Sequence, residues 1–63
     1  MKIKIIVPVP LGVEYGITIG RFFDVLEITK GGRGENKYWV MGDAGEKCAL
    51  FPREIQEVKN ENT

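Results

Sequence analysis

The chain has 63 residues, a mass of 7.1 kDa and nine Lys and Arg against nine Asp and Glu, for a formal net charge of zero. A chain this short folds as one domain that buries only about 60% of its unfolded surface, and its 43% apolar content is too high for a disordered tail. A large enzyme fold, a two-domain arrangement and a membrane-spanning protein are excluded, and a charge-neutral chain is a poor match for broad phosphate binding.

The residue types favour strands over helices. Isoleucine and valine together occur thirteen times, beside six aromatic residues, whereas alanine occurs twice and leucine three times. Eight glycines and three prolines divide the chain into pieces too short for a long helix. In chain order, the first strand is expected at Lys2 to Val7, where Ile3, Ile5 and Val7 alternate with Lys2, Lys4 and Ile6. Pro8 and Pro10 lack the amide a central strand needs, so they end this strand or place it at an edge. Leu11 to Ile19 reads as a loop punctuated by glycine. A second strand is expected from Phe22 to Thr29. Both of its alternating sets contain apolar residues, which a bulge or barrel-like curvature would reconcile.

Lys30 to Asn36, with Gly31, Gly32 and Gly34, reads as a mobile loop. A third strand at Lys37 to Met41 and a fourth at Glu46 to Phe51 flank Gly42-Asp-Ala-Gly45, whose residues suit a three-residue hairpin loop. Phe51 to Glu54 suits one short helical turn, Ile55 to Val58 a fifth strand, and the polar stretch 59–63 a frayed tail. One domain, residues 1–58, is therefore expected. The hairpin loop also dictates a register: Met41 faces Lys47, Val40 faces Cys48, Trp39 faces Ala49 and Tyr38 faces Leu50. Tyr38, Val40, Cys48 and Leu50 make the better core face. Trp39, Met41, Lys47 and Ala49 are left on the other: this is the leading contact surface, or else Trp39 and Met41 close a small core under the loop of residues 8–19.

Three segments in order, Gly20-Arg-Phe-Phe-Asp-Val-Leu-Glu27, Tyr38-Trp-Val40 and Leu50-Phe-Pro-Arg-Glu-Ile55, resemble the strands of a Src-homology-3-like (SH3-like) small barrel. The Asp43, Gly45, Glu46, Phe51 and Pro52 pattern is also similar to small barrels of bacteria and their phages. The resemblance spans roughly residues 20–58 and implies an all-β, five-stranded, partly open barrel with a single 3-10 turn near Pro52. It implies a groove using Tyr38 or Trp39 with Pro52. Proline-rich ligands are not expected, because Ile55 stands where that family has a tyrosine and its Ala-Leu-Tyr-Asp-Tyr segment is absent.

The functional expectation is a non-enzymatic, cytoplasmic protein-binding module, in its phage-type version a small modulator of a host protein. Its contact residues would be Trp39, Met41, Lys47 and Ala49, with Tyr15 in the early loop as a recognition residue or a cover over the barrel's open end. The alternative is a nucleic-acid or ribosome-associated barrel using Arg21, Lys30, Arg33 and Lys37, with Lys47, gathered on one side. Self-association through the exposed face or a Lys2–Val7 edge is a third reading. No membrane partner is expected. The chain has no histidine and one cysteine, Cys48, which the register buries as a structural thiol. Asp24, Asp43, Glu46 and Glu54 form no acid–base pair or calcium-loop spacing, so no cofactor, metal or catalytic residue is expected.

Overall fold

The computed structural model describes residues 1–11 and 13–59; the expected fraying of the tail therefore falls, beyond Lys59, outside the described residues. Six strands form two three-stranded antiparallel sheets: β1 (Lys2–Ile5), β2 (Phe22–Asp24), β3 (Glu27–Lys30), β4 (Asn36–Met41), β5 (Lys47–Leu50) and β6 (Ile55–Val58). Sheet A has the order β2-β1-β6 and sheet B the order β3-β4-β5. The all-β expectation holds. The five-strand count does not, and the two sheets do not join into one closed ladder.

The additional strand arises because the expected strand Phe22 to Thr29 turns a corner. The Val25 amide donates to the Met1 carbonyl at 2.8 Å, whereas the next amide, that of Leu26, donates to the Trp39 carbonyl at 2.7 Å. The two consecutive residues between β2 and β3 thus bond in different directions, one toward the start of β1 and the other to β4. Glu27 is the register partner of Trp39, so Leu26 and Glu27 both address one residue, the arrangement of a β-bulge. The bulge is present, but it does not bring both apolar sets into the core: Phe23 is buried and Val25 packs on the core, while Phe22, Leu26 and Ile28 stay exposed.

The first strand is shorter than expected, ending at Ile5, and it is not an edge. Lys2 is opposite Asp24 on one side and Val58 on the other, so β1 is the middle of sheet A. Pro8 lies just past the strand, where a missing amide costs nothing in the ladder. This corrects the expectation that a Lys2–Val7 edge is open for self-association. The early loop also contains a short 3-10 turn at Val13–Tyr15 that periodicity did not signal. A second 3-10 turn, Pro52–Glu54, stands where it was expected. There the Phe51 amide donates to the Glu54 carboxylate at 3.0 Å and the Glu54 amide donates back to the Phe51 carbonyl at 2.9 Å.

The hairpin register is the one expected, with Tyr38, Trp39, Val40 and Met41 opposite Leu50, Ala49, Cys48 and Lys47. Its turn closes through the Gly42 amide on the Glu46 carbonyl (2.9 Å) and the Gly45 amide on the Gly42 carbonyl (3.0 Å). Gly45 has φ +85°, the left-handed position that favours glycine. Between the sheets lie Ile3, Ile5, Ile17, Phe23, Val40, Cys48, Leu50 and Ile55, with Val9, Tyr15, Val25 and Tyr38 packed around them. The apolar sets of β1, β4 and β5 thus converge on one core, as their alternation requires.

Candidate functional site

Sheet B has two faces, and the core uses one. Its inner face places Val40 and Leu50 at 0% exposure. On the outer face, strand alternation and register align Trp39 with Glu27 on β3 and Ala49 on β5, and Met41 with Lys47. Trp39 is half-buried and its indole Nε1–H donates to Thr29 Oγ1 at 2.8 Å, which fixes the ring without consuming its apolar surface. Met41 is 47% exposed. Lys47 Nζ lies 3.6 Å from Glu27 Oε2, an exposed ion pair at the margin of the face worth under about 1 kcal/mol. The result is an oriented indole on the same face as an exposed, flexible thioether, rimmed by charges of both signs.

Tyr15 is not part of this face. Its carbonyl accepts the Asp43 amide at 2.8 Å and its side chain packs against the core, so it covers the inner side of the β4–β5 hairpin. A Cβ on Gly42 would approach the Tyr15 carbonyl to 3.0 Å and Cys48 Sγ to 3.2 Å, so the bare glycine backbone admits the early loop here. Of the five residues expected to contact a partner, Trp39, Met41, Lys47 and Ala49 are brought together, and Tyr15 lies on the opposite side.

The cations divide as well. Arg21 reaches Asp43 Oδ2 at 2.8 Å and the Gly16 carbonyl at 2.9 Å, with its guanidinium 4.8 Å from the Phe23 ring centroid. It ties the early loop to the β4–β5 turn. Lys30, Arg33 and Lys37 surround the β3–β4 connection at the other end of β4. That connection is bridged by the Gly31 amide on the Glu35 carbonyl (2.6 Å) and the Gly34 amide on the Gly31 carbonyl (3.0 Å). The Glu35 carboxylate lies against Gly31, and its buried Oε1 has no hydrogen-bond partner among the described residues. One cluster of five cations is therefore not formed.

Cys48 is buried, as expected. Burial, and secondly the Glu46 carboxylate, push its thiol above the ordinary value, opposed in part by the Gly42 backbone. The Tyr15 phenol is also raised, first by the nearby Glu46 charge, then by burial and Glu14. Both groups hold their protons more tightly folded than unfolded. That stabilisation is full below the ordinary thiol pKa of about 8.5 and is lost as pH rises past it, because the unfolded chain ionises first. Melts from neutral pH to about pH 10.5 are expected to show the midpoint falling above about pH 9, with a shallower fall in Cys48→Ala. A midpoint flat across that range would contradict the buried-thiol account.

Sequence reasoning missed several exposed apolar side chains, among them Ile6, Ile19, Phe22, Leu26 and Ile28. Phe22 lies opposite Lys4, whose Nζ is 5.8 Å from the ring centroid. The apolar content of both faces of Phe22 to Thr29 was the available signal, but it did not say which residues would remain outside. Among the described residues no helix is long and apolar enough to cross a membrane. No family model, curated protein or solved structure matches this chain.

Proposed function

We infer that the chain is a non-enzymatic protein-binding module of the SH3-like barrel type, working in a reducing compartment, with the Trp39–Met41 face as its contact surface. The barrel assignment is supported by the strand orders β2-β1-β6 and β3-β4-β5, the long loop after β1 and the 3-10 turn before the last strand. A small modulator of a host protein is the role that likeness to phage-type barrels supports. The observation that carries the reading is a half-buried, hydrogen-bond-oriented Trp39 beside an exposed Met41, on the face the core leaves unused. Nucleic-acid binding is less favoured, since Arg21 is committed to Asp43 and away from Lys30, Arg33 and Lys37.

The test is capture from the native cell extract with the wild-type chain and with Trp39→Ala, followed by affinity measurement on the protein recovered. Loss of a central Trp anchor costs about 2 kcal/mol or more, roughly 30-fold in affinity. Circular dichroism should show the variant still folded. Equal affinity of wild type and folded variant would remove this face from consideration.

A further inference from the structure

We propose that β3 pairs with β3 of a second copy, antiparallel about a two-fold axis through Ile28, so that two sheets B become one six-stranded sheet. This stands independently of the Trp39–Met41 reading, because it uses an edge and not that face.

β3 is the one described strand with no buried or half-buried residue. Its hydrogen-bonding direction follows from its ends. The Gly31 amide donates to the Glu35 carbonyl, and the register pairs Thr29 with Lys37 and Glu27 with Trp39. Antiparallel ladders alternate bonded and non-bonded pairs. The odd-numbered residues of β3 therefore bond to β4, and the amides and carbonyls of Ile28 and Lys30 point outward. No backbone partner beyond the sheet reaches those groups among the described residues. Short length, edge lysines, prolines and bulges discourage such pairing; β3 has four residues, with Lys30 at one end and the bulge at the other, which leaves only its centre open and makes any pairing there short. The centre here is Ile28-Thr29, with the bulge lying before it at Leu26–Glu27.

A second copy fits this edge by its chemistry. In antiparallel pairing, directly opposed residues share a face, so a two-fold pair must match even with even and odd with odd. With Ile28 on the axis, Ile28 and the partner's Ile28 exchange two N–H···O bonds. Their side chains, 48% exposed in the single chain, then meet beside the two Tyr38 rings. Lys30 falls opposite the partner's Leu26, whose amide is turned inward to the Trp39 carbonyl, so the new ladder is carried by the Ile28 pair and ends at the bulge. On the other face, Glu27, which already faces Lys47 of its own chain at 3.6 Å in an exposed pair, is aligned with the partner's Thr29 and, one strand further, with the partner's Lys37. Those two Cα positions are about 9.6 Å apart, within reach of a Glu–Lys pair made twice by symmetry. The next allowed register sets Ile28 against Lys30 and aligns Glu27 with the partner's Glu35, which is worse on both counts. The zero net charge removes long-range repulsion between copies.

Because the axis is perpendicular to the sheet, both Trp39 faces point the same way, on β4 strands about 14 Å apart. A partner with two matching patches would meet a bivalent surface. An edge of four residues buries little area, so the association is weak.

Sedimentation velocity from about 10 μM to about 1 mM, with amide exchange of the wild-type chain at both ends of that range, tests the proposal. The sedimentation coefficient should rise with concentration, and the Ile28 amide should gain protection of about tenfold or more at the high end. Ile28→Lys, which opposes two ammonium groups on the axis, should remain monomeric with an unchanged circular dichroism spectrum. Glu27→Lys should weaken the dimer, and adding Lys37→Glu should restore it. A strict monomer at about 1 mM overturns the proposal. A dimer in which the Ile28 amide is no better protected, or that survives Ile28→Lys, also overturns it.

Discussion

Leu50→Ala is expected to unfold a large fraction of the chain at physiological temperature. Leu50 is fully buried, one of four such side chains with Ile3, Ile5 and Val40. It also faces Tyr38 across the hairpin, so its removal opens the core between β4 and the rest of the inner face. Truncating a buried leucine costs about 2–5 kcal/mol, made up of lost transfer free energy and the cavity left behind. At about 0.05–0.15 kcal/mol per residue, a chain of 63 residues has only about 3–9 kcal/mol to lose. In domains of this size each kcal/mol moves the melting midpoint by about 4–8 °C. A fall of about 8–40 °C is therefore expected for Leu50→Ala, read by circular dichroism and by Trp39 fluorescence. Met41→Ala, at a 47% exposed position, should change stability by less than about 0.5 kcal/mol. If the two variants melted within a few degrees of each other, the assignment of inner and outer faces would be wrong.

Gly16→Ala is the second large effect, and its origin is in the backbone. Gly16 has φ +71°, where an L-residue with a Cβ costs about 1–2 kcal/mol. The added Cβ would also overlap the Asp43 carboxylate and the Arg21 guanidinium, which hold each other at 2.8 Å. Those side-chain ends can move aside, but only by giving up their ion pair and the Arg21 bond to the Gly16 carbonyl. A total of about 2–3 kcal/mol is expected. Asp43→Ala removes the pair alone and should cost about 1 kcal/mol or less, because both partners are substantially exposed. The difference between the two variants isolates the backbone term. Amide exchange at Asp43, whose N–H is bonded to the Tyr15 carbonyl at 2.8 Å, should quicken in both and most in Gly16→Ala. Equal denaturation curves for the two variants would show that the left-handed position carries no strain of consequence.

The parts of the fold legible in the sequence are those decided by neighbours along the chain. The β4–β5 hairpin is set by Gly42 to Gly45 and by alternation, so its register, its core face and the burial of Cys48 could be read directly, whereas whether Trp39 stays outside or closes a small core could not. The Pro52 turn is likewise local. Contacts between distant segments were not legible. The corner at Val25–Leu26 depends on two carbonyls, those of Met1 and Trp39, that belong to different sheets. The position of Tyr15 depends on Gly42 and Asp43, far along the chain, and no periodic pattern marks it. Counting cations could not show that Arg21 was committed to Asp43 and Gly16, at the opposite end of β4 from Lys30, Arg33 and Lys37. The shared face of the four hairpin residues followed from the register, whereas for Tyr15 the sequence left a recognition role and a covering role open, and its packing on the core is that of a cover.

The central position of β1 has a consequence in time. Sheet B needs only residues between Glu27 and Leu50, joined by two short connections, and such local pairings form quickly. Sheet A needs Lys2 beside Val58, so the first strand waits for the last. As the chain leaves the ribosome, Ile3 and Ile5 stay without their second neighbour until β6 has emerged. Closure of the core is then a late, long-range event, and a chain stopped before Ile55 would hold a formed hairpin sheet with an uncovered apolar face.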